Sequence, residues 1–232
     1  MLDTKFWAKY FRVYDVLNLL IPYQELLRDI CDELDIRKGE KILEAGCGTG
    51  NLALEIKKRG ANVVGLDNCQ EALDIYKEKD STAELVLADL SQKLPFSDNY
   101  FDKIACNNTL YAFPKETQLI ILKEFLRVLK PGGKLVVNNP KKGWKPIKIY
   151  ADGVKKEFKN QGVIKGLAKI LRIVVPTLKI FYYNIFIQKE SHYYFCEFDE
   201  QKEILQVCGF SNVSPTRKSY SDQAIINSGY KP

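Results

Sequence analysis

Leu43-Glu44-Ala45-Gly46-Cys47-Gly48-Thr49-Gly50-Asn51 is the stretch on which the reading of this 232-residue chain turns. Its start belongs to Lys41–Ala45, a run short and apolar enough for a buried strand. Three glycines at alternate positions then let the backbone turn sharply and approach a bound molecule with no Cβ in the way. Asn51–Lys58 continues at helical spacing and stops at Gly60, so the turn feeds a helix N-terminus with its free N–H groups and positive dipole end. The spacing is G-x-G-x-G, with Asn51 where the dinucleotide fingerprint has its third glycine, and no Gly-Lys-Ser/Thr follows as in a phosphate loop.

The alternation continues on both sides. Downstream, 62–66 reads as a strand, 70–79 as a helix, and 84–88 and 101–106 as strands. A helix over 116–129 is closed by Lys130-Pro131-Gly132-Gly133 and followed by a strand over 134–138. Strands alternating with helices pair in parallel through right-handed crossovers, which predicts an open, doubly wound α/β sheet. Asp199 suits the N-cap of a helix over 199–208 that ends at Gly209, and the tail from Asn212 has room for one or two last strands. Upstream, apolar and aromatic residues of 4–20 and 23–35 recur at helical spacing, with Pro22 between the two helices.

Two carboxylates sharpen the site. Asp67 ends the second strand, 21 residues past Gly46, where it can accept both hydroxyl hydrogens of a ribose. Asp89 ends the third strand, where it can accept from an exocyclic adenine amine. Alone, each acid suits a cap or a loop. Together, after a glycine turn, they outline an adenosine site.

On these residues the chain resembles a class I S-adenosylmethionine-dependent methyltransferase of the small-molecule branch. The matching pieces are LEAGCGTG (43–50), VVGLD (63–67), ADLSQKLPFSDNYFDKI (88–104) and RVLKPGGKLVV (127–137), in family order, with EFDEQKEILQVCGF (197–210) similar as well. The resemblance implies a Rossmann-like, doubly wound, mostly parallel seven-stranded sheet in one domain over 1–232. Its parts would be an N-terminal helical cap (1–38), a cofactor-binding core (39–140), a basic helical insertion or lid after the fifth strand (141–190), and a C-terminal helix with strands completing the sheet (191–232). It also implies S-adenosyl-L-methionine as cofactor. Gly46, Cys47, Gly48 and Gly50 would pass under its methionine part, with Glu44 and Asn107 near that end. Asp67 would hold the ribose, bordered by Asn68, and Asp89 with Leu90 would frame the adenine.

Methyl transfer from a sulfonium is an in-line displacement, so the protein must align nucleophile, methyl carbon and sulfur and exclude water. An amine acceptor suits an aromatic pocket, an oxygen acceptor wants a base, and a carbon acceptor must be electron-rich. The candidate pocket residues are Tyr10, Tyr14, Asn108, Tyr111, His192, Tyr193 and Tyr194, and the catalytic candidates among them are Tyr14, Tyr111 and His192. Tyr14-Asp15 resembles a pair that precedes the core in many small-molecule members and folds over the cofactor. His192, the single histidine, is the only side chain with an ordinary pKa fit for a base near neutrality, yet a lone histidine is more often a surface or packing residue. The expected acceptor is small and apolar or amphiphilic, lipids and prenylated compounds included. The alternatives are an RNA methyltransferase using the basic insertion and a cofactor-binding protein without turnover. Asn107-Asn108-Thr109-Leu110 lacks the Asn/Asp-Pro-Pro-aromatic motif of many nucleic-acid enzymes, so nucleic acid is not expected as a partner.

The net charge of +6 is unevenly placed. Residues 141–189 carry twelve Lys and Arg against Asp152 and Glu157, a local +10, which leaves 23 basic and 27 acidic residues, or −4, elsewhere. Within 162–189, Val163, Ile164, Leu167, Ile170, Leu171 and Val174 mix with Lys165, Lys169 and Arg172 at helical spacing, a basic amphipathic pattern. Three readings are open: a lid whose apolar face covers the acceptor, a peripheral contact with anionic membrane, or a nucleic-acid surface in which Tyr182 and Tyr183 stack, although these two are expected to be buried. No segment is expected to cross a bilayer, because 170–187 is interrupted by Arg172, Pro176, Lys179 and Asn184. The start lacks the pattern of a secretory signal. Six scattered cysteines without metal-ligand spacing predict no metal site and a reducing, cytoplasmic setting.

Overall fold

Residues 2–232 are described by a computed structural model. Seven strands form one sheet: β1 (Lys41–Ala45), β2 (Asn62–Asp67), β3 (Glu84–Leu87), β4 (Phe101–Asn107), β5 (Leu129–Pro140), β6 (Arg217–Ser219) and β7 (Ala224–Tyr230). Their order is β3-β2-β1-β4-β5-β7-β6. The first five strands pair in parallel, and β7 runs antiparallel between β5 and β6. This is the mostly parallel, seven-stranded, doubly wound sheet that the sequence implies.

Both faces of the sheet are covered, because successive side chains of a strand point to opposite sides. Ile42, Ala105, Val136 and Ile226 join one core with α2 (Ile21–Leu34), α3 (Asn51–Lys58) and α4 (Gln70–Lys79). Leu43, Ile104, Leu135, Val137 and Ile225 join the other with α5 (Lys115–Val128) and α7 (Glu200–Val207). All six cysteines are free and buried. The strand order reverses between β1 and β4, and in open α/β sheets ligands bind outside the carboxyl ends at such a switch point.

Two boundaries differ from the sequence reading for physical reasons. The helix expected over 116–129 stops at Val128, because Leu129 already pairs with Phe101. Pairing resumes at Lys103 with Lys134, so Lys130-Pro131-Gly132-Gly133 loops out inside β5, with Gly132 at φ +71°. The helix expected over 4–20 breaks at Tyr14: α1 (Thr4–Tyr14) gives way to a 3₁₀ turn, Asp15–Leu19, before α2 starts with Pro22 in its first turn.

The insertion after β5 is one long helical segment, α6 (Pro146–Lys189), folded back on itself at Gly162. Gly162 sits at φ 76°, ψ 170°, a region in which a Cβ is strained. The arms meet through the Tyr150 and Phe181 rings, 4.6 Å apart, and through Lys169 Nζ, which donates to Glu157 Oε2 at 2.7 Å. A Cβ on Gly166 would come within 2.6 Å of the Phe158 ring, so glycine lets the arms close near the bend.

The insertion corrects two expectations and bears on a third. Val163, Ile164, Leu167, Leu171 and Val174, read as a covering face, lie exposed, because the second arm packs on the body through Ile173, Ile180 and Ile187 instead. Tyr182, expected to be buried, is 59% exposed, while Tyr183 is half-buried with its ring 5.3 Å from Phe6. Finally, an 18-residue window of α6 has a mean hydropathy of 1.5, so by length and composition alone it suffices to cross a bilayer. Its interrupting charges are too few to lower the window below that level.

Candidate active site

The glycine turn and the carboxyl ends of β1, β2 and β4 open onto one cavity of about 340 Å³, walled on other sides by α1 and by both arms of α6. Gly46 (φ +74°) and Gly48 (φ +50°) line it. A Cβ on Gly46 would stand 2.3 Å from Thr109 Cγ2, and one on Gly48 2.8 Å from the Phe11 ring, so these two positions admit only glycine. Gly50 is different: it backs onto the Tyr76 ring, 2.4 Å from where its Cβ would be, and lies outside the cavity wall. It shapes the turn from behind.

Asp67 ties the turn to β2. The Gly48 N–H donates to its Oδ2 at 2.8 Å and the Cys69 N–H to its Oδ1 at 3.0 Å. Cys47 and Gly46 N–H groups both donate to the Leu66 carbonyl. The Asp67 side chain still faces the cavity, as does Asn68. Burial pushes the Asp67 carboxyl above its usual range, and the N–H groups of Gly48, Cys69 and Asn68 pull it back.

Glu44, alternating with Leu43, enters the cavity wall from β1 and is 2% exposed. Its Oε2 is buried with no hydrogen-bond partner. Burial raises its pKa well above the usual range, the nearby Asp67 charge adds to this, and the Ala53 N–H opposes it. A buried carboxyl oxygen without a hydrogen-bond partner costs free energy, and a cationic donor is the group best suited to offset that cost.

The segment between α1 and α2 clamps the turn from above. Thr49 Oγ1 donates to Asp15 Oδ1 at 2.7 Å, and Lys79 Nζ reaches Asp15 Oδ2 at 2.6 Å, the Thr49 carbonyl at 2.8 Å and Asn51 Oδ1 at 2.9 Å. Asn18 Nδ2 also donates to Asn51 Oδ1 at 2.8 Å. Asp15→Ala removes the hub of this clamp and is expected to weaken binding at the turn about tenfold, read by calorimetric titration. Unchanged binding would show that the clamp is packing only.

At the ends of β4 and β5, Asn138 donates to Asn107 Oδ1 at 2.9 Å and Asn108 Oδ1 at 3.3 Å and accepts from Ser219 Oγ at 2.6 Å. These bonds hold the 107–109 loop, in which Asn108 takes φ +52°, against the cavity. Beyond it the wall is aromatic: Tyr10, Tyr14, Tyr111, Tyr150, Tyr193 and Tyr220 line it. Burial raises the phenol pKa of Tyr10, Tyr14, Tyr111 and Tyr220, which keeps them protonated at neutral pH. Among the described residues that line the cavity there is no Lys, Arg or His.

Of the residues predicted from sequence, Glu44, Gly46, Cys47, Gly48, Asp67, Asn68, Leu90, Asn107, Tyr14 and Tyr111 meet at this cavity. Asp89 lies outside the described wall: it is exposed, and its Oδ1 accepts from the Ser91 N–H at 2.8 Å in a local turn beside the site. Tyr194 lies elsewhere, bonded to Glu200 and Lys115. His192 is exposed and outside the wall, its Nδ1 2.7 Å from Glu190 Oε1. His192→Ala is therefore expected to leave kcat/KM within about twofold at every pH, and a loss of a hundredfold in a steady-state assay would put it back in the chemistry. Sequence reasoning missed Thr109 after β4, Trp144 before α6, Ile180 and Asn184 on α6, and Gln223 before β7, which all reach the cavity. Asn51 was noticed only as a departure from a glycine pattern.

Residues 43–137 match the family described as a methyltransferase domain, from the glycine turn through most of β5. A demethylmenaquinone methyltransferase of Staphylococcus carnosus is 29% identical over 228 residues, 94% of this chain and 88% of its own. A protein of the same name from Staphylococcus aureus is 36% identical over 132 residues, 53% of this chain and 54% of its own. Among solved structures, a SAM-dependent methyltransferase from Aquifex aeolicus superposes with a TM-score of 0.64 at 18% identity over 100% of both chains, a likeness of fold.

Proposed function

We propose that this chain, which is a class I S-adenosylmethionine-dependent methyltransferase, transfers the methyl group to a small, uncharged, ring-bearing amphiphile of the quinol type. The observation that carries this reading is the two-ended cavity: glycines and carboxylates at one end, aromatic rings at the other, and no basic side chain among its described lining residues.

When bound, S-adenosylmethionine supplies a methyl group on a sulfonium sulfur. Glu44 offers its unpaired Oε2 to the cationic amine, which fits a buried oxygen otherwise without a donor. Gly46, Cys47 and Gly48, which line the cavity, would hold the methionine part, Asp67 with Asn68 the ribose, and Leu90 the adenine. Asn107 borders the methionine end. Gly50 supports these contacts through the turn, and Asp89 through the loop that carries Leu90.

At the far end the rings favour positive charge and exclude water, which suits a sulfonium and a displacement that only redistributes its charge. No histidine, lysine or arginine lines the wall among the described residues, and the carboxyls of Glu44 and Asp67 sit at the glycine-turn end, so the acceptor must carry a nucleophile that needs no strong base. An electron-rich ring bearing hydroxyl groups meets that demand: the methyl–sulfur bond would break as a ring carbon–methyl bond forms, and the ring proton would then be lost from the acidic adduct to water. The Staphylococcus relatives are named for demethylmenaquinone, a quinone whose reduced form is such a ring. Tyr14 and Tyr111, held protonated by burial, orient the acceptor's oxygens as hydrogen-bond donors rather than act as bases. RNA fits poorly, since nothing cationic in the wall meets a phosphate. Six buried free cysteines suit work on the cytoplasmic side.

The test is incubation with S-adenosylmethionine and a short-chain naphthoquinol that lacks the ring methyl. The proposal expects a methylated ring product by mass spectrometry. Bound cofactor with no product from any quinol would reject the acceptor class.

A further inference from the structure

The second arm of α6 is apolar on two faces, and only one of them is covered. Ile173, Ile180 and Ile187 pack inward on the body, and Ile180 also lines the cavity. Leu167, Leu171, Val174, Leu178, Tyr182 and Ile185 form the opposite row, all exposed at 40–65%. Their spacing keeps them on one helical face, and at 1.5 Å per residue the row is about 27 Å long. Val163, Ile164, Val175 and Phe186 widen it. A contiguous apolar surface of this length is not left to water.

The charges select what covers it. Lys165, Arg172 and Lys179, seven residues apart, run along one border of the apolar row, exposed and with no ion-pair partner among the described residues. Lys155 and Lys159 of the first arm are exposed near the same bend. A second copy of the chain would bring two +10 segments together, which like-charge repulsion opposes. A nucleic acid would leave the apolar row unused. An apolar stripe bordered by lysine and arginine on a helix that lies flat is the arrangement that enters the headgroup boundary of an anionic bilayer. The helix cannot stand across the bilayer without pulling Ile180 out of the cavity wall.

We propose that the outer face of α6, from Leu167 to Ile185, docks on an anionic lipid bilayer and lies in its interface. Because Ile180 and Tyr182 face opposite ways on one helix, the cavity then lies about one helix diameter from the lipid. The docking surface stands on α6 alone and holds whatever acceptor the cavity takes.

The test is flotation of the full chain with vesicles of phosphatidylcholine alone or with about one third phosphatidylglycerol. The wild type is expected to float with the anionic vesicles at low salt and be released at high salt. Lys165→Glu/Arg172→Glu/Lys179→Glu should lower the partition coefficient roughly a hundredfold, and Leu171→Asp/Leu178→Asp should abolish flotation. Both variants should keep the wild-type melting curve and S-adenosylmethionine binding, since every changed side chain is exposed. A wild type that stays unbound with anionic vesicles overturns the proposal. So does a chain that sediments as a dimer dissociated by Leu171→Asp/Leu178→Asp, or folded variants that float as well as the wild type.

Discussion

Asp67→Ala is expected to weaken S-adenosylmethionine binding about a hundredfold, with folding retained. The carboxylate does two things at once. It accepts the Gly48 and Cys69 N–H groups, which fixes the glycine turn, and it faces the cavity where a ribose would lie. Hydrogen bonds to a charged acceptor contribute roughly 1.5–3 kcal/mol each, but water can replace part of what is lost in an opened turn. A net loss of about 3 kcal/mol, or a hundredfold, is the balance. Folding suffers less, because removing a buried carboxylate also removes its desolvation cost, the leading cause of its raised pKa. Asp67→Asn should recover part of the affinity, since the amide oxygen can still accept one N–H. Calorimetry on all three proteins checks this, and an alanine variant within about threefold of wild type would remove Asp67 from the cofactor site.

Ile180→Trp is expected to act at the other end. Ile180 is 1% exposed and lines the cavity from the covered face of α6, away from the glycine turn. A larger side chain fills space meant for the acceptor, with overpacking of about 1–3 kcal/mol to be absorbed by the hairpin. kcat/KM should fall about a hundredfold while the cofactor dissociation constant stays within about twofold. If cofactor affinity falls in step with turnover, the two ends of the cavity are not separate. A melting curve distinguishes this from an unfolded hairpin.

The sheet was legible because each of its signals is local. β1, α3 and α4 fall where alternation, helical spacing and glycine stops place them, since a strand buried on both faces and a capped helix declare themselves within ten residues. The glycine turn was legible for the same reason. What was not legible depends on distant partners. Asp89 lies two residues past the end of β3, exposed, with its Oδ1 accepting from the Ser91 N–H, and nothing in its spacing announces that local turn. Gly50 belongs to the pattern but serves Tyr76. Asp15, Thr49 and Lys79 meet from three separate elements, and nothing in their spacing announces it. The insertion shows the limit most clearly: both faces of its second arm are apolar, so periodicity has no single face to choose. Only the packing of Ile173, Ile180 and Ile187 tells which is inside.

The local +10 of residues 141–189 takes on meaning in the same way. Among the described residues of the cavity wall there is no lysine, arginine or histidine, so the basic residues of the insertion lie outside it. Under the docking proposal they belong to the surface that meets the bilayer.

The central claim is that the aromatic end of one cavity, free of Lys, Arg and His among its described lining residues, receives the methyl group's acceptor beside the glycine turn. The most direct measurement is the fate of the label when the protein and methyl-labelled S-adenosylmethionine are added to a demethylated whole-cell extract, afterwards split into lipid, RNA and protein. The account predicts label in the neutral ring-bearing lipid fraction, absent with Asp67→Ala. Label recovered instead in RNA or protein, or in charged water-soluble compounds, would contradict it.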